Sequence, residues 1–328
     1  MLMKEHIAAF TSHITQAIAI GASFVVKERR EIRNVLVTGL GGSGIGGTII
    51  AQICDNELKV PFLVSKDYFI PGFVDQHTMV IVSSYSGNTE ETLQALESAQ
   101  KKGALIVCVT SGGKVAEIAE KNNYSTILIP GGMPPRSAFG FSATQLFYVL
   151  KGFNLISDQF VDELKASVKL INEEEADIMK GAMSLAKQLM GKIPVIYSAA
   201  NYEGVSIRFR QQVDENAKML CWHHAFPEMN HNELVGWTTS NDNLAVVFFR
   251  NNDDYVRTAK RMDLCKDVFS KYTPHIHELW SKGSSKLEKT FYLIHYGDWI
   301  TWYLSELKGI DCSEVKVIDH LKGELSKL

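Results

Sequence analysis

The chain has no cysteine pairs to build on. Its five thiols, Cys54, Cys108, Cys221, Cys265 and Cys312, are scattered, odd in number and never fall in a C-x-x-C spacing. That argues against a disulfide framework and for a reducing compartment. Strong charge of either sign is also missing: the formal net charge over 328 residues is -3, which speaks against a nucleic-acid or anionic-membrane surface. No apolar run is long enough to span a bilayer, since Ala17 to Val26 is short and carries Gly21 and Ser23. The opening Met-Leu-Met-Lys-Glu-His sets charge where the apolar core of a signal peptide should begin. A cytoplasmic protein is therefore expected. Metal signatures are lacking too: Cys221, His223, His224 and His231 match neither H-E-x-x-H nor paired C-x-x-C, so no metal is expected.

What is present is concentrated in two loops. An apolar strand pattern, Thr78-Met-Val-Ile-Val82, runs into Ser83-Ser-Tyr-Ser-Gly-Asn-Thr-Glu-Glu-Thr92. Ser84, Ser86 and Thr89 offer hydroxyls there, and the backbone amides around Gly87 and Asn88 lie where a helix start leaves donors unpaired. Such a loop suits a phosphate monoester without any lysine; an ordinary N-capped helix is the plainer alternative. Upstream, Asn34-Val-Leu-Val-Thr38 leads into Gly39-Leu-Gly-Gly-Ser-Gly-Ile-Gly-Gly47. Glycines 39, 41 and 44 fit G-x-G-x-x-G, a dinucleotide fingerprint, with Asp67 as a loose candidate for the acidic partner. The broader content is a backbone able to approach an anion closely at a helix N-terminus, with Ser43 adding one hydroxyl.

Strand and helix patterns alternate, which means βαβ units and parallel sheets covered on both faces. The expected order is a leading helix over 4–26, strand 34–38, helix 45–55, strands 61–65 and 78–83, helix 88–101, strand 104–109, helix 113–122, strand 125–129 and helix 142–152. After a charged helix over 159–190 the cycle restarts: strand 193–197, helix 202–220, strand 243–249, helix 253–269, strand 275–279 and helix 286–307. The two halves read as an approximate duplication in which the second has lost the anion loops. The expected division is 1–153, carrying those loops, and 154–328.

Gly41-Gly-Ser-Gly44 and Ser84-Tyr-Ser-Gly-Asn-Thr-Glu-Glu-Thr92 together resemble the sugar isomerase (SIS) domain. Pro134-Pro-Arg-Ser-Ala-Phe-Gly140, Glu215-Asn216 and Pro227-Glu-Met-Asn-His-Asn-Glu-Leu-Val-Gly-Trp237 narrow the likeness to the bifunctional phosphoglucose/phosphomannose isomerases, a branch of the phosphoglucose isomerase superfamily. The resemblance runs from about residue 30 to the C-terminus. It implies two SIS-like α/β/α lobes of three layers each, with mainly parallel sheets. It also implies interconversion of glucose 6-phosphate or mannose 6-phosphate with fructose 6-phosphate through a cis-enediol, without a cofactor. Gly42, Ser43, Ser84, Ser86 and Thr89 would hold the phosphate. Arg136 would stabilise the enediolate, Glu215 would move the proton between C2 and C1, and His231 would assist ring opening from the partner subunit of a homodimer. A C-terminal lysine completes the set; Lys322 is the natural match and Lys316 lies close.

The chemistry fits those roles. One carboxylate can take and return a proton on a single face, an arginine can neutralise the oxyanion, and a histidine can serve either end of ring opening. Plainer readings stand beside each: Glu215 as a surface salt-bridge residue near Arg208, Arg210 and Lys218, with both arginines solvated; Arg136 as a partner of a nearby acid; His231 as a helix cap. Asn230, Asn232 and Glu233 read as hydrogen-bonders around the histidine, Glu233 as its possible orienter. Glu173-Glu-Glu175 reads as a solvated face, and Trp299, Trp302 and Tyr303 as core or interface. Three other functions compete: a sugar-phosphate-sensing regulator, a nicotinamide oxidoreductase and an aminotransferring sugar enzyme. The first would want a basic DNA-binding helix-turn-helix and the last a glutaminase domain, and neither is seen.

Overall fold

The computed structural model describes residues 2–325 and 327. The chain forms two compact units, and each contains its own parallel sheet. One comprises Ala8–Glu174 with Ser281–Tyr292; the other comprises Glu175–Trp280, the chain from Leu293 onward and the segment ending at Ile7.

The first unit has β1 (Asn34–Thr38), β2 (Phe62–Ser65), β3 (Thr78–Ser84), β4 (Leu105–Thr110) and β5 (Ser125–Leu128), in the order β2-β1-β3-β4-β5 and all parallel. All seven β3 residues are buried, as a continuous apolar run requires of a strand covered on both faces. Leu36, Val80, Val82, Leu96, Ile106 and Cys108 share one core cluster, each large side chain contributing about 1.5–3 kcal/mol by leaving water. The leading helical stretch is two helices, α1 (Met3–Ala8), which up to Ile7 belongs to the other unit, and α2 (Phe10–Ala22), and it stops before 26. Ser23 ends it by turning its hydroxyl back to the Ile20 carbonyl at 2.7 Å. Next, α3 (Gly41–Ile53) starts inside the glycine loop, four residues before the expected position; Gly47 packs there against Val37 of β1. The other helices are α4 (Glu90–Lys101), α5 (Gly113–Lys121), α6 (Phe139–Gly152) and, as far as Glu174, α7 (Gln159–Leu189). Residues 139–150 of α6 are all buried.

The second unit has β6 (Ile193–Ala199), β7 (Trp222–Phe226), β8 (Leu244–Arg250) and β9 (Ile276–Trp280), in the order β7-β6-β8-β9. That order repeats β2-β1-β3-β4, so the duplication seen in the pattern is present in the topology. Its helices are α8 (Glu203–Ala217), α9 (Val256–Phe269), α11 (Lys316–Leu325) and, from Leu293 on, α10 (Lys286–Lys308). The core is aromatic, with Tyr197 against Phe226, Phe248 and Phe269, and Trp237 against Phe269. Strand β7 was not expected, because Trp222-His-His carries no alternation; it is an edge strand with a half-exposed start. Glu175 is no solvated side chain: it accepts from Trp299 Nε1 at 3.0 Å and lies 2.6 Å from His295 Nε2. Trp299 and Tyr303 are buried, and their rings stack.

Candidate active site

In the first unit the strand order reverses between β1 and β3, the place where open α/β sheets hold ligands. The two glycine- and hydroxyl-rich loops leave these neighbouring strands. A Cβ on Gly39 would lie 2.5 Å from the Ser83 carbonyl oxygen, so only glycine lets the loops run this close. Ser43 Oγ accepts from the Tyr85 amide at 3.2 Å, and Ser86 Oγ accepts from the Asn88 amide at 3.2 Å. Both hydroxyls therefore keep their own protons available to donate. Ser84 Oγ donates to Thr89 Oγ1 at 3.2 Å, and Thr89 stands at the N-cap position of α4. Ser43 and Ser84 are buried, while Ser86 is exposed at the mouth.

A third loop, Thr110-Ser-Gly-Gly113 after β4, buttresses this cradle and was missed in the sequence. Ser111 sends its amide (3.0 Å) and hydroxyl (2.6 Å) to the Tyr85 carbonyl. The Lys114 amide donates to Asn88 Oδ1 at 3.0 Å, and that of Val115 to the Gly87 carbonyl at 3.0 Å. Gly87 has φ +67°, and a Cβ there would sit 1.8 Å from the Gly112 oxygen. The available sign was compositional: a hydroxyl-rich, glycine-rich exit after a third parallel strand. Tyr85 also reaches forward, its hydroxyl accepting from the Met133 amide at 3.0 Å. Burial pushes that phenol up, so it stays neutral. The tie fixes the segment that carries Arg136. A Cβ on Gly42 would meet the Pro135 oxygen at 3.1 Å and the Arg136 Cα at 3.4 Å. Arg136 is buried beside the glycine loop. The structure thus gathers Gly42, Ser43, Ser84, Ser86, Thr89 and Arg136 in one unit.

Glu215, His231 and Lys322 belong to the other unit. Glu215 occupies the last turn of α8 and borders a cavity of about 240 Å³, with Asp214, Lys218, Glu314, Val315, Val317 and Ile318. Burial raises the Asp214 carboxyl, with neighbouring Glu215 adding to the shift and Arg210 opposing it. Lys218, left-handed at φ 51°, closes the helix. Its Nζ donates to the carbonyls of Glu215 (2.6 Å), Glu314 (2.6 Å) and Cys312 (3.4 Å). Arg208 is not solvated: it is 3% exposed and pairs with Asp298 at 2.7 Å.

His231 ends a 3-10 turn, Glu228–His231, and is exposed. The residues around it are structural. Asn232 Oδ1 caps the next turn through the Glu233 amide at 2.6 Å, and Asn230 Oδ1 accepts from Arg261 at 3.2 Å. Glu233 Oε1 accepts from Tyr197 Oη at 2.5 Å and Trp222 Nε1 at 3.2 Å. It fastens the loop to the sheet; burial first, then that carboxylate, push the Tyr197 phenol up. His223 and His224 are successive residues of β7 and point to opposite faces. Among the described residues no three or more His, Cys, Asp or Glu side chains converge as a metal site would require. Lys316 opens α11 and Lys322 lies in its last turn, both exposed.

Comparison with known proteins agrees with the two-unit architecture. Residues 30–147 match the SIS domain, and residues 178–325 match the bacterial phospho-glucose isomerase C-terminal SIS domain. The bifunctional phosphoglucose/phosphomannose isomerase of Caldicellulosiruptor bescii is 36% identical, over 99% of both chains. The protein of that name from Thermoplasma volcanium is 35% identical, over 89% of this chain and 91% of its own. In the crystal structure of a putative phosphosugar isomerase from Clostridium difficile 630 the same fold recurs, with a TM-score of 0.78 at 18% identity and 96% of each chain covered.

Proposed function

The chain belongs to the bifunctional phosphoglucose/phosphomannose isomerase family, and from that premise we propose how its residues divide the work of an aldose–ketose isomerase. The substrate is a hexose 6-phosphate: glucose 6-phosphate or mannose 6-phosphate on the aldose side, fructose 6-phosphate on the ketose side. The observation that carries the assignment is the hydroxyl cradle, whose Ser43 and Ser86 accept from backbone amides and so face a ligand as donors. It takes the phosphate together with Gly42, Ser84 and Thr89. Binding energy from that remote group positions C1 and C2.

Arg136, buried at the edge of the cradle, stabilises the enediolate oxygen in a site poor in water. Glu215 takes the proton from C2 of the aldose and delivers it to C1 to give the ketose, and in the reverse direction takes it from C1 of the ketose and delivers it to C2, through a cis-enediol. The carbonyl moves between the two carbons and no electrons leave the substrate, so the step needs no redox cofactor. Lys322 completes the site, with Lys316 the alternative on the same helix. In this reading residues 1–153 supply the phosphate grip and 154–328 the proton-transfer groups.

His231 serves ring opening from the partner of a homodimer. Two features support that assembly: the histidine is exposed, and α11 presents Val317 (83% exposed) and Leu321 (58%) with no buried residue of its own. Five free thiols suit a cytoplasmic setting. The direct test is purified protein with fructose 6-phosphate, with product identification and deuterium wash-in at C2, beside the Glu215→Gln variant. Both aldoses should form, and the variant should lose at least about 10³-fold in kcat with KM little changed. Near-normal turnover by Glu215→Gln would refute the base assignment. Binding without any exchange would identify a sugar-phosphate sensor instead.

A further inference from the structure

One stripe of the helix that carries Glu215 is buried yet polar. Arg208, Gln212 and Asn216 recur at every fourth residue of α8 and are 3%, 3% and 0% exposed. All three bond to α10. Arg208 Nη2 and Gln212 Nε2 donate to the two oxygens of a single carboxylate, Asp298, at 2.7 and 2.8 Å. Asn216 Nδ2 donates to Thr301 Oγ1 at 3.0 Å, and that hydroxyl passes its proton toward the Asp298 carbonyl at 2.9 Å. Lys308 Nζ, further along α10, donates to the carbonyls of Ala217 (2.7 Å) and Lys218 (3.1 Å), the open end of α8. Gly297 permits the approach: a Cβ there would come within 3.0 Å of the Phe209 ring.

Cohesion alone does not call for this chemistry. Apolar side chains of similar volume hold two helices together at least as well, because a buried ion pair repays its desolvation only with every partner in place. A polar ladder does supply register. An apolar seam tolerates a small slide, whereas sliding α8 along α10 would strand the Arg208 and Asp298 charges without partners. The last rung, Asn216, is the residue next to Glu215. A base must sit within hydrogen-bond range of the proton it takes, and a displacement of about 1 Å costs on the order of 10²-fold in rate.

We propose that Asp298 is a positioning residue: with Arg208, Gln212 and the Asn216–Thr301 rung, it sets the register of α8 on α10 and so the station of Glu215. The inference rests on Glu215 being the base. Its test replaces the ladder by an apolar seam, Arg208→Met/Gln212→Leu/Asp298→Leu, and measures thermal unfolding, kcat and KM for fructose 6-phosphate. The expected result is a folded protein with KM within about twofold and kcat lowered on the order of 10²-fold. A folded triple variant with kcat within about threefold of the parent overturns the proposal.

Should the triple variant fail to fold, Thr301→Val removes one rung at constant volume. It is expected to lower kcat about fivefold at unchanged KM, and an unaltered kcat overturns the proposal equally. A purely structural role would slow Thr301→Val in every background. A role exercised through the base predicts no further loss when Thr301→Val is added to Glu215→Gln, and an added loss overturns it. Turnover surviving in Glu215→Gln alone would instead remove the base assignment, a failure distinguishable from that of the ladder.

Discussion

Ser43 and Ser84 show how single residues combine two duties. Each is buried and already hydrogen-bonded within the loops, Ser43 as an acceptor and Ser84 as a donor to Thr89. A hydroxyl that accepts from an amide is oriented for a ligand before the ligand arrives, which lowers the ordering cost of binding. Hydrogen bonds to a charged phosphate are worth about 1.5–3 kcal/mol each. Ser43→Ala is therefore expected to raise KM for fructose 6-phosphate about tenfold or more while kcat changes by less than about threefold. Steady-state kinetics decide; a large fall in kcat at constant KM would count against phosphate binding by this residue. The placement of these hydroxyls in loops after parallel strands was readable in the sequence, because a short apolar run followed by a glycine- and hydroxyl-rich stretch marks a strand exit. Arg208 was not readable. Its neighbours in the chain are those of a surface helix, and its ion pair with Asp298, 90 residues away, helps make its burial tolerable.

Among elements, the close contact of α2 with α6 depends on one missing side chain. A Cβ on Gly21 would fall 2.0 Å from Tyr148 Cδ2 and 2.4 Å from its Cγ, so the ring lies directly on the glycine backbone. Gly21→Ala is expected to cost about 1–3 kcal/mol through overpacking. Thermal unfolding should report this as a drop of several degrees, with the kinetic constants of the folded fraction preserved. An unchanged melting temperature would mean that α2 shifts freely on α6. Most strands were legible to within a residue, since buried parallel strands are short apolar runs bounded by turn residues. Helix ends were less so. The α8 helix stops at Ala217 because Lys218 turns left-handed and finds three carbonyls for its ammonium, a device that local spacing does not announce. Strand β7 was missed for a related reason: an edge strand need not alternate.

For the whole molecule, the prediction concerns assembly. On the proposal that His231 is supplied across a homodimer, Glu215→Gln and His231→Ala homodimers should each be inactive, whereas mixed dimers should contain one site with both groups intact. Unfolding and refolding an equimolar mixture should restore about a quarter of the parent activity by random pairing. Recovery of none would place His231 and Glu215 of the same chain in one site. The sequence by itself determined the parallel α/β architecture, its duplication and the position of the glycine- and hydroxyl-rich loops. These follow from periodicity and from the few residue types that let a chain turn tightly from a strand into a helix. Tertiary structure decided which polar residues are buried and what holds them: the Thr110–Gly113 buttress, the Tyr85 tie to the Arg136 segment, Glu233 on Tyr197, and the α8–α10 ladder. Burial of a charged or hydrogen-bonding side chain is set by partners distant in the chain, and no local pattern encodes those partners.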